Sequence, residues 1–239
     1  MFQYFSSRLD YFATKTGAII VPSCGFDSVP SDAAAYLANK TLKSIGPSST
    51  DGEYLDVDTS ISAFSFRGGV SGGTINSFMS TIEAVPDDVR QDGNRPYVIS
   101  PFIGGPPFPM QLLYNLPIPG MKPLIGGFFI MGAGNTAVVQ RSYGLLELHA
   151  NTGKFYCFCF DIIYGLKRVF QLVQSFAPGG DLQKKARLER YGSNFKYTEF
   201  HVMSSVASVV VYTVAIFFGL GMLLVNPVSH NEMQKFLVG

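Results

Sequence analysis

The apolar positions along this chain change period several times, and each change predicts an element. Residues 4–15 place Phe5, Leu9 and Phe12 on one side of a helix, with Gly17 positioned to end it. The apolar run 18–22 reads as a buried strand, followed by the loop Ser23-Cys24-Gly25-Phe26-Asp27-Ser28. A helix is expected over 32–43, with Pro30 stopping any earlier start and Ser31 capping its first turn. From Leu55 the chain alternates strictly. Val57, Thr59, Ile61 and Ala63 face one way and Asp56, Asp58, Ser60 and Ser62 the other, which predicts a half-buried strand of antiparallel type.

That alternation breaks at Gly68-Gly69 and the turn Ser71-Gly72-Gly73-Thr74. A helix with Ile75, Phe78, Met79 and Ile82 on its apolar face should follow, closed by Pro86. Residues 96–127 hold eight of the fourteen prolines, a density that neither a helix nor a sheet interior tolerates. An extended covering segment is therefore expected there. A further helix is expected around 133–148, presenting Val138, Leu145 and Leu146.

Val206 to Val225 carries no charge, and the uncharged window extends from Phe200 to Asn231. At ~1.5 Å per helical residue, twenty residues reach ~30 Å, the thickness of a bilayer core. The run therefore reads as a transmembrane helix, with a buried core helix as the alternative. Lys184, Lys185, Arg187, Arg190 and Lys196 precede it and Lys235 alone follows, which would put its amino-terminal side in the cytosol.

Composition narrows the choice only slightly. A hydrophobic content of 47%, a charged content of 15% and a mean hydropathy of +0.21 lie on the apolar side of soluble norms. A formal net charge of +1 gives no electrostatic reason to expect a nucleic-acid partner. Cys24, Cys157 and Cys159 make neither a disulfide framework nor a zinc site, and the three histidines have no metal-binding or triad spacing. Reduced cysteines in an intracellular protein are expected, with Cys24 a small core residue.

Four blocks carry a family resemblance: Cys24-Gly-Phe-Asp-Ser-Val-Pro-Ser-Asp32, the stretch from Gly68 through Thr74 to Ser77, Asn135-Thr-Ala-Val-Val-Gln-Arg-Ser142, and Phe195-Lys-Tyr-Thr-Glu199. In this order they resemble the saccharopine dehydrogenase-like oxidoreductases, the group that includes trans-acting enoyl reductases. The resemblance implies an α+β chain: a remnant of a Rossmann domain over 1–45 and an incomplete substrate domain over 46–204. The hydrophobic helix over 205–226 and a short tail over 227–239 complete the division. Residues 153–180 have no counterpart in the family and read as an insertion. No G-x-G-x-x-G stands at the head of the chain, so it reads as a central-to-C-terminal fragment with impaired catalysis.

The resemblance also implies site residues. Cys24, Gly25, Phe26, Asp27 and Ser28 would face the nicotinamide of NAD(P). Asp32 would either help there or simply favour the helix dipole. Ser71, Gly72, Gly73 and Thr74 form the candidate substrate turn, because glycines allow close backbone approach. Arg141 would pair with a carboxylate such as Glu147 or meet substrate. No catalytic residue and no metal site is assigned. Without its phosphate-binding turn, the chain is expected to bind NAD(P) weakly or not at all. The implied activity is reduction of an enoyl or imine group on a small or lipid-type substrate. The alternative is a non-catalytic protein at an intracellular membrane (lipid droplet, endoplasmic reticulum or mitochondrial) with membrane lipid as partner. Self-association into a homodimer stays open.

Overall fold

The computed structural model of the chain describes residues 9, 11–18, 23–46, 54–66, 73, 91, 93, 95–164 and 188–225, with side chains in α-helical 152–164, 220 and 222–225 left aside. Helix α1 spans Val29–Ser44, strand β1 Thr59–Phe64, β2 Leu113–Leu116 and β3 Leu124–Gly127. Helix α2 spans Gly132–Tyr164, β4 Lys196–Met203 and helix α3 Val206–Val225. The strands form one mixed sheet in the order β1-β4-β3-β2. An α+β architecture with a small mixed sheet is thus what the chain adopts.

Several expectations are borne out locally. Residues 11–16 are helical, and Gly17 ends them with φ +69°, a left-handed conformation natural to glycine. The helix expected at 133–148 is present as the first half of α2. The helix expected at 32–43 begins earlier, at Val29, with Pro30 inside its first turn, where a missing N–H costs nothing. Of the strand expected at 18–22 only Ala18 is described, its amide donating to the carbonyl of Ala13 at 3.1 Å; residues 19–22 and the helix after Thr74 lie outside the described residues, as does most of the turn 71–74, where Gly73 alone is described.

Strand β1 differs from its expected sense in two ways. It pairs parallel with β4, register Ser60↔Tyr197, Ser62↔Glu199 and Phe64↔His201, rather than antiparallel. Its serines, not its apolar residues, lie on the more buried side, and Ile61 is exposed. The alternation was legible; which face meets the helices depended on the neighbouring strand.

The proline-rich segment also departs from a strandless cover. It supplies β2 and β3, an antiparallel hairpin with Tyr114 opposite Gly126 and Leu116 opposite Leu124. Both strands are four residues long and free of proline, the prolines lying before them and in the connection between them. β3 then pairs antiparallel with β4. Gly126 is required: a Cβ there would overlap the ring of Phe200 and the carbonyl of His201. In its absence Tyr114 and Phe200 stack, centroids 5.1 Å apart and planes within 5°.

The expectation of a C-terminal transmembrane helix is corrected. Among the described residues no helix is long and apolar enough to cross a membrane. The segment does fold as α3, but one side of it is committed to the sheet. Val209 is 2% exposed and lies against Gly127, Tyr212 sits 5.2 Å from the His201 ring, and Phe217 stacks on Phe128.

The core is aromatic. Tyr143 stacks on Phe195 at 5.3 Å and Phe195 meets Tyr191 at 4.4 Å, with Val139 and Ala35 completing the cluster. Tyr97 fastens the proline-rich segment to it. Its amide donates to Gln140 Oε1 at 2.8 Å, and its hydroxyl lies between the carbonyls of Gly105 and Phe195. Burial, assisted by Tyr143, holds its phenol up at about 12.

Candidate functional site: a buried carboxylate behind an exposed loop

Helix α1 turns its polar residues inward. Ser31, Ala35, Asn39 and Lys43 recur every four residues and are all buried, whereas Val29 and Leu37 are exposed. Of the inward set only Ala35 is apolar, so hydrogen bonds hold this helix to the body. Asn39 Nδ2 donates to the carbonyl of Glu189 at 2.9 Å, and Lys43 Nζ donates to the carbonyl of Arg190. Burial lowers the Lys43 pKa, with Asp56 and Glu147 acting in the opposite sense.

At the amino-terminal end of α1 the inward residues meet Glu199 of β4. Ser31 Oγ and the Tyr197 hydroxyl both donate to Glu199 Oε2, at 2.8 and 2.7 Å. Asn135 Nδ2 donates to Oε1 at 2.7 Å. Asn135 then accepts on Oδ1 from Ser28 Oγ at 3.0 Å, and two turns further along α2 Ser142 Oγ donates to Asp32 Oδ2 at 2.8 Å. Glu199 is 5% exposed. Burial pushes its carboxyl above the ordinary value, while the bonds from Tyr197, Ser31 and Asn135 pull the other way. Asp32 is raised for the same first reason, offset by Ser142.

The exposed loop sits directly before this cluster. Ser23 adopts φ +57°, and the carbonyl of Gly25 accepts the amides of Ser28 and Val29 at 3.3 and 3.1 Å. Phe26 is 80% exposed, and Cys24 is an exposed free thiol rather than the core residue expected. Asp27 is exposed and Ser28 half-buried. Thus the five residues expected to face a cofactor divide: four present themselves to solvent, and Ser28 ties the loop to the interior.

The other sequence-derived candidates fall elsewhere. Ser71, Gly72 and Thr74 lie outside the described residues. Arg141 donates Nη1 to the carbonyl of Ile99 at 2.8 Å and so pins the proline-rich segment. Glu147 is buried, and its Oε1 has no hydrogen-bond partner among the described residues. Asp32 is turned toward α2, not toward the loop. Sequence reasoning did not single out Ser31, Asn135, Ser142, Tyr197 or Glu199 as a set. All five lie in the family-like blocks as polar residues, and that was the available signal.

The opposite face of the sheet holds an uncharged hollow of about 140 Å³ over Ile61, Tyr114, Thr198 and Phe200. It does not communicate with the Glu199 cluster, because alternate residues of β4 point to opposite faces.

Comparison with known proteins extends the resemblance. The chain is similar to a protein of Mycobacterium tuberculosis strain H37Rv provisionally named a trans-acting enoyl reductase, with 37% identity over 143 residues, 56% of this chain and 33% of the relative. Trans-acting enoyl reductases of Mycobacterium bovis strain BCG and Mycobacterium leprae are 32% and 33% identical over 143 and 144 residues, again 56% of this chain. The chain spans about a third of the length of the curated relatives it matches. No family model matches it, and no solved structure does.

Proposed function

We propose that this chain is part of an enoyl-reductase-type oxidoreductase of the saccharopine dehydrogenase-like group, working with NAD(P) on an enoyl or imine group of a small, lipid-related molecule. The observation that carries this reading is the convergence on Glu199 of three blocks that resemble the family: Ser31 from the first, Asn135 from the third, Tyr197 and Glu199 itself from the last. The names of the mycobacterial relatives support the same reaction class.

When bound, the nicotinamide supplies the hydride. The part of this chain is to present a surface and hold it still. Phe26 and Cys24 offer apolar and soft surface, and Asp27 a carboxylate, which together suit a nicotinamide ring and its carboxamide. The turn does not suit a pyrophosphate. The amides of Ser28 and Val29 already donate to Gly25, and Pro30 has none to give. With no G-x-G-x-x-G in the sequence, the fit is to the nicotinamide end of the cofactor alone.

Backbone amide resonances of purified chain titrated with NADPH test this. Weak, saturable shifts confined to residues 24–28 are expected at high cofactor concentration. No perturbation of those residues would overturn the placement, and micromolar affinity would overturn the claim that the phosphate site is missing.

A further inference from the structure

We propose that Glu199 is a positioning residue for the loop Cys24–Ser28, fixing its posture from beneath through Asn135 and Ser31. Three observations carry this. First, α1 lacks an apolar anchor at its amino-terminal end: its inward residue there is Ser31, whose hydroxyl is given to Glu199. Second, Ser28 occupies the N-cap position yet makes no capping hydrogen bond with its side chain. A serine at that position ordinarily satisfies an amide of its own helix. Here its hydroxyl is committed to Asn135 instead.

Third, the sense of each bond is dictated by the carboxylate. An ionised carboxylate only accepts, so Asn135 must turn its NH₂ toward Glu199 and its oxygen toward Ser28. Ser28 must then donate. The loop's last residue is thereby held in one orientation by a group buried in β4. Among the described residues the rest of the loop is held by the two bonds to the carbonyl of Gly25, and Cys24, Phe26 and Asp27 are exposed. Removing Glu199 frees Asn135 to flip and frees Ser28 to cap its own helix, which would draw the loop into a different turn.

The bearing on catalysis rests on the reading of this loop as the nicotinamide-facing turn; the chain of contacts does not. Hydrogen exchange of the full chain separates the two, because it needs no cofactor. The amides of Ser28 and Val29 report the loop, and those of β4 report the sheet. Ser28→Ala cuts the link to Asn135 while leaving every bond to Glu199 in place. It should speed exchange at residues 28 and 29 about fivefold with β4 unchanged. Glu199→Ala should speed the loop at least as much. Glu199→Gln should restore most of the protection, because its amide oxygen can still accept from Asn135 while the hydroxyls of Ser31 and Tyr197 turn to accept. A merely structural glutamate predicts loop and sheet amides accelerating together. Loop exchange at the parent rate in both Ser28→Ala and Glu199→Ala would overturn the proposal. If Glu199→Ala does not fold, Ser28→Ala decides alone. A failed cofactor titration would sink the functional reading and leave this result standing.

Discussion

Ser31 and Glu199 stand 168 residues apart in the chain and 2.8 Å apart in the fold. The bond joins helix α1 to strand β4, and it is one of three that a single buried carboxylate accepts. A carboxylate so placed loses its hydration and regains most of it from fixed donors. Its value to the fold is therefore asymmetric, small while all donors are present and large once the acceptor is removed.

Glu199→Ala leaves the donors of Ser31, Asn135 and Tyr197 buried without their acceptor. Each such group costs ~1–3 kcal/mol, less whatever water recovers by entering the space. A loss of ~3 kcal/mol is expected in urea denaturation, against ~1 kcal/mol for Glu199→Gln, which keeps volume and polarity. Equal losses in the two variants would contradict the hydrogen-bond account and point to packing alone.

Stability should depend on pH through the same group. Burial raises the folded-state pKa of Glu199 above 4.5 and that of Asp32 above 3.8. The folded chain therefore keeps protons that the unfolded chain has released. This contribution is fully present below the unfolded values and is lost as pH rises through the folded ones. His201 acts oppositely: burial lowers its pKa below 6.5, so its contribution is lost as pH falls through that region. Urea midpoints measured from pH 4.5 to neutrality should fall less with rising pH in Glu199→Gln than in the parent. Superimposable profiles would mean that Glu199 titrates normally.

Gly126→Ala should be destabilising by ~2 kcal/mol, the cost of forcing an added methyl into a filled space. The methyl would meet the Phe200 ring and the backbone of β4, and backbone cannot move aside as a flexible side chain can. Loss of the Tyr114–Phe200 stack should appear in near-ultraviolet circular dichroism. An unchanged spectrum and midpoint would show that the strands separate more easily here than the geometry indicates.

Two valines two residues apart, on opposite faces of α3, test how that helix is used. Val209 is 2% exposed against the sheet, and Val211 is 69% exposed. Val209→Ser should cost ~2 kcal/mol, through lost apolar burial and an added hydroxyl. Val211→Ser should stay within ~0.5 kcal/mol. The urea midpoints of the two variants decide, and equal values would deny that α3 docks by one face.

Much of the local structure is legible in the spacing of residues along the chain. The apolar spacing of 133–148, the uncharged run from Val206 and the helix stop at Gly17 depend on neighbours within a turn or two, and each element formed where expected. The strand after Leu55 was readable as alternating but not as to sense. Period two says that two faces differ, and Ser60 and Ser62 turn inward only because Tyr197 and Glu199 lie beside them. The hairpin of β2 and β3 was hidden by counting prolines over a window far longer than either strand. The uncharged run suggested a bilayer because length and charge say nothing about a sheet waiting to receive Val209.

The order of the elements, their breakers and the polar residues within the family-like blocks belong to the sequence alone, since each is set by short-range stereochemistry and spacing. The parallel pairing of β1 with β4, the inward polar face of α1 and the meeting of Ser31, Asn135 and Tyr197 on Glu199 belong to the tertiary structure. A carboxylate becomes a hub only when water is excluded and donors arrive from distant segments, and layering of helices on a sheet accomplishes both at once.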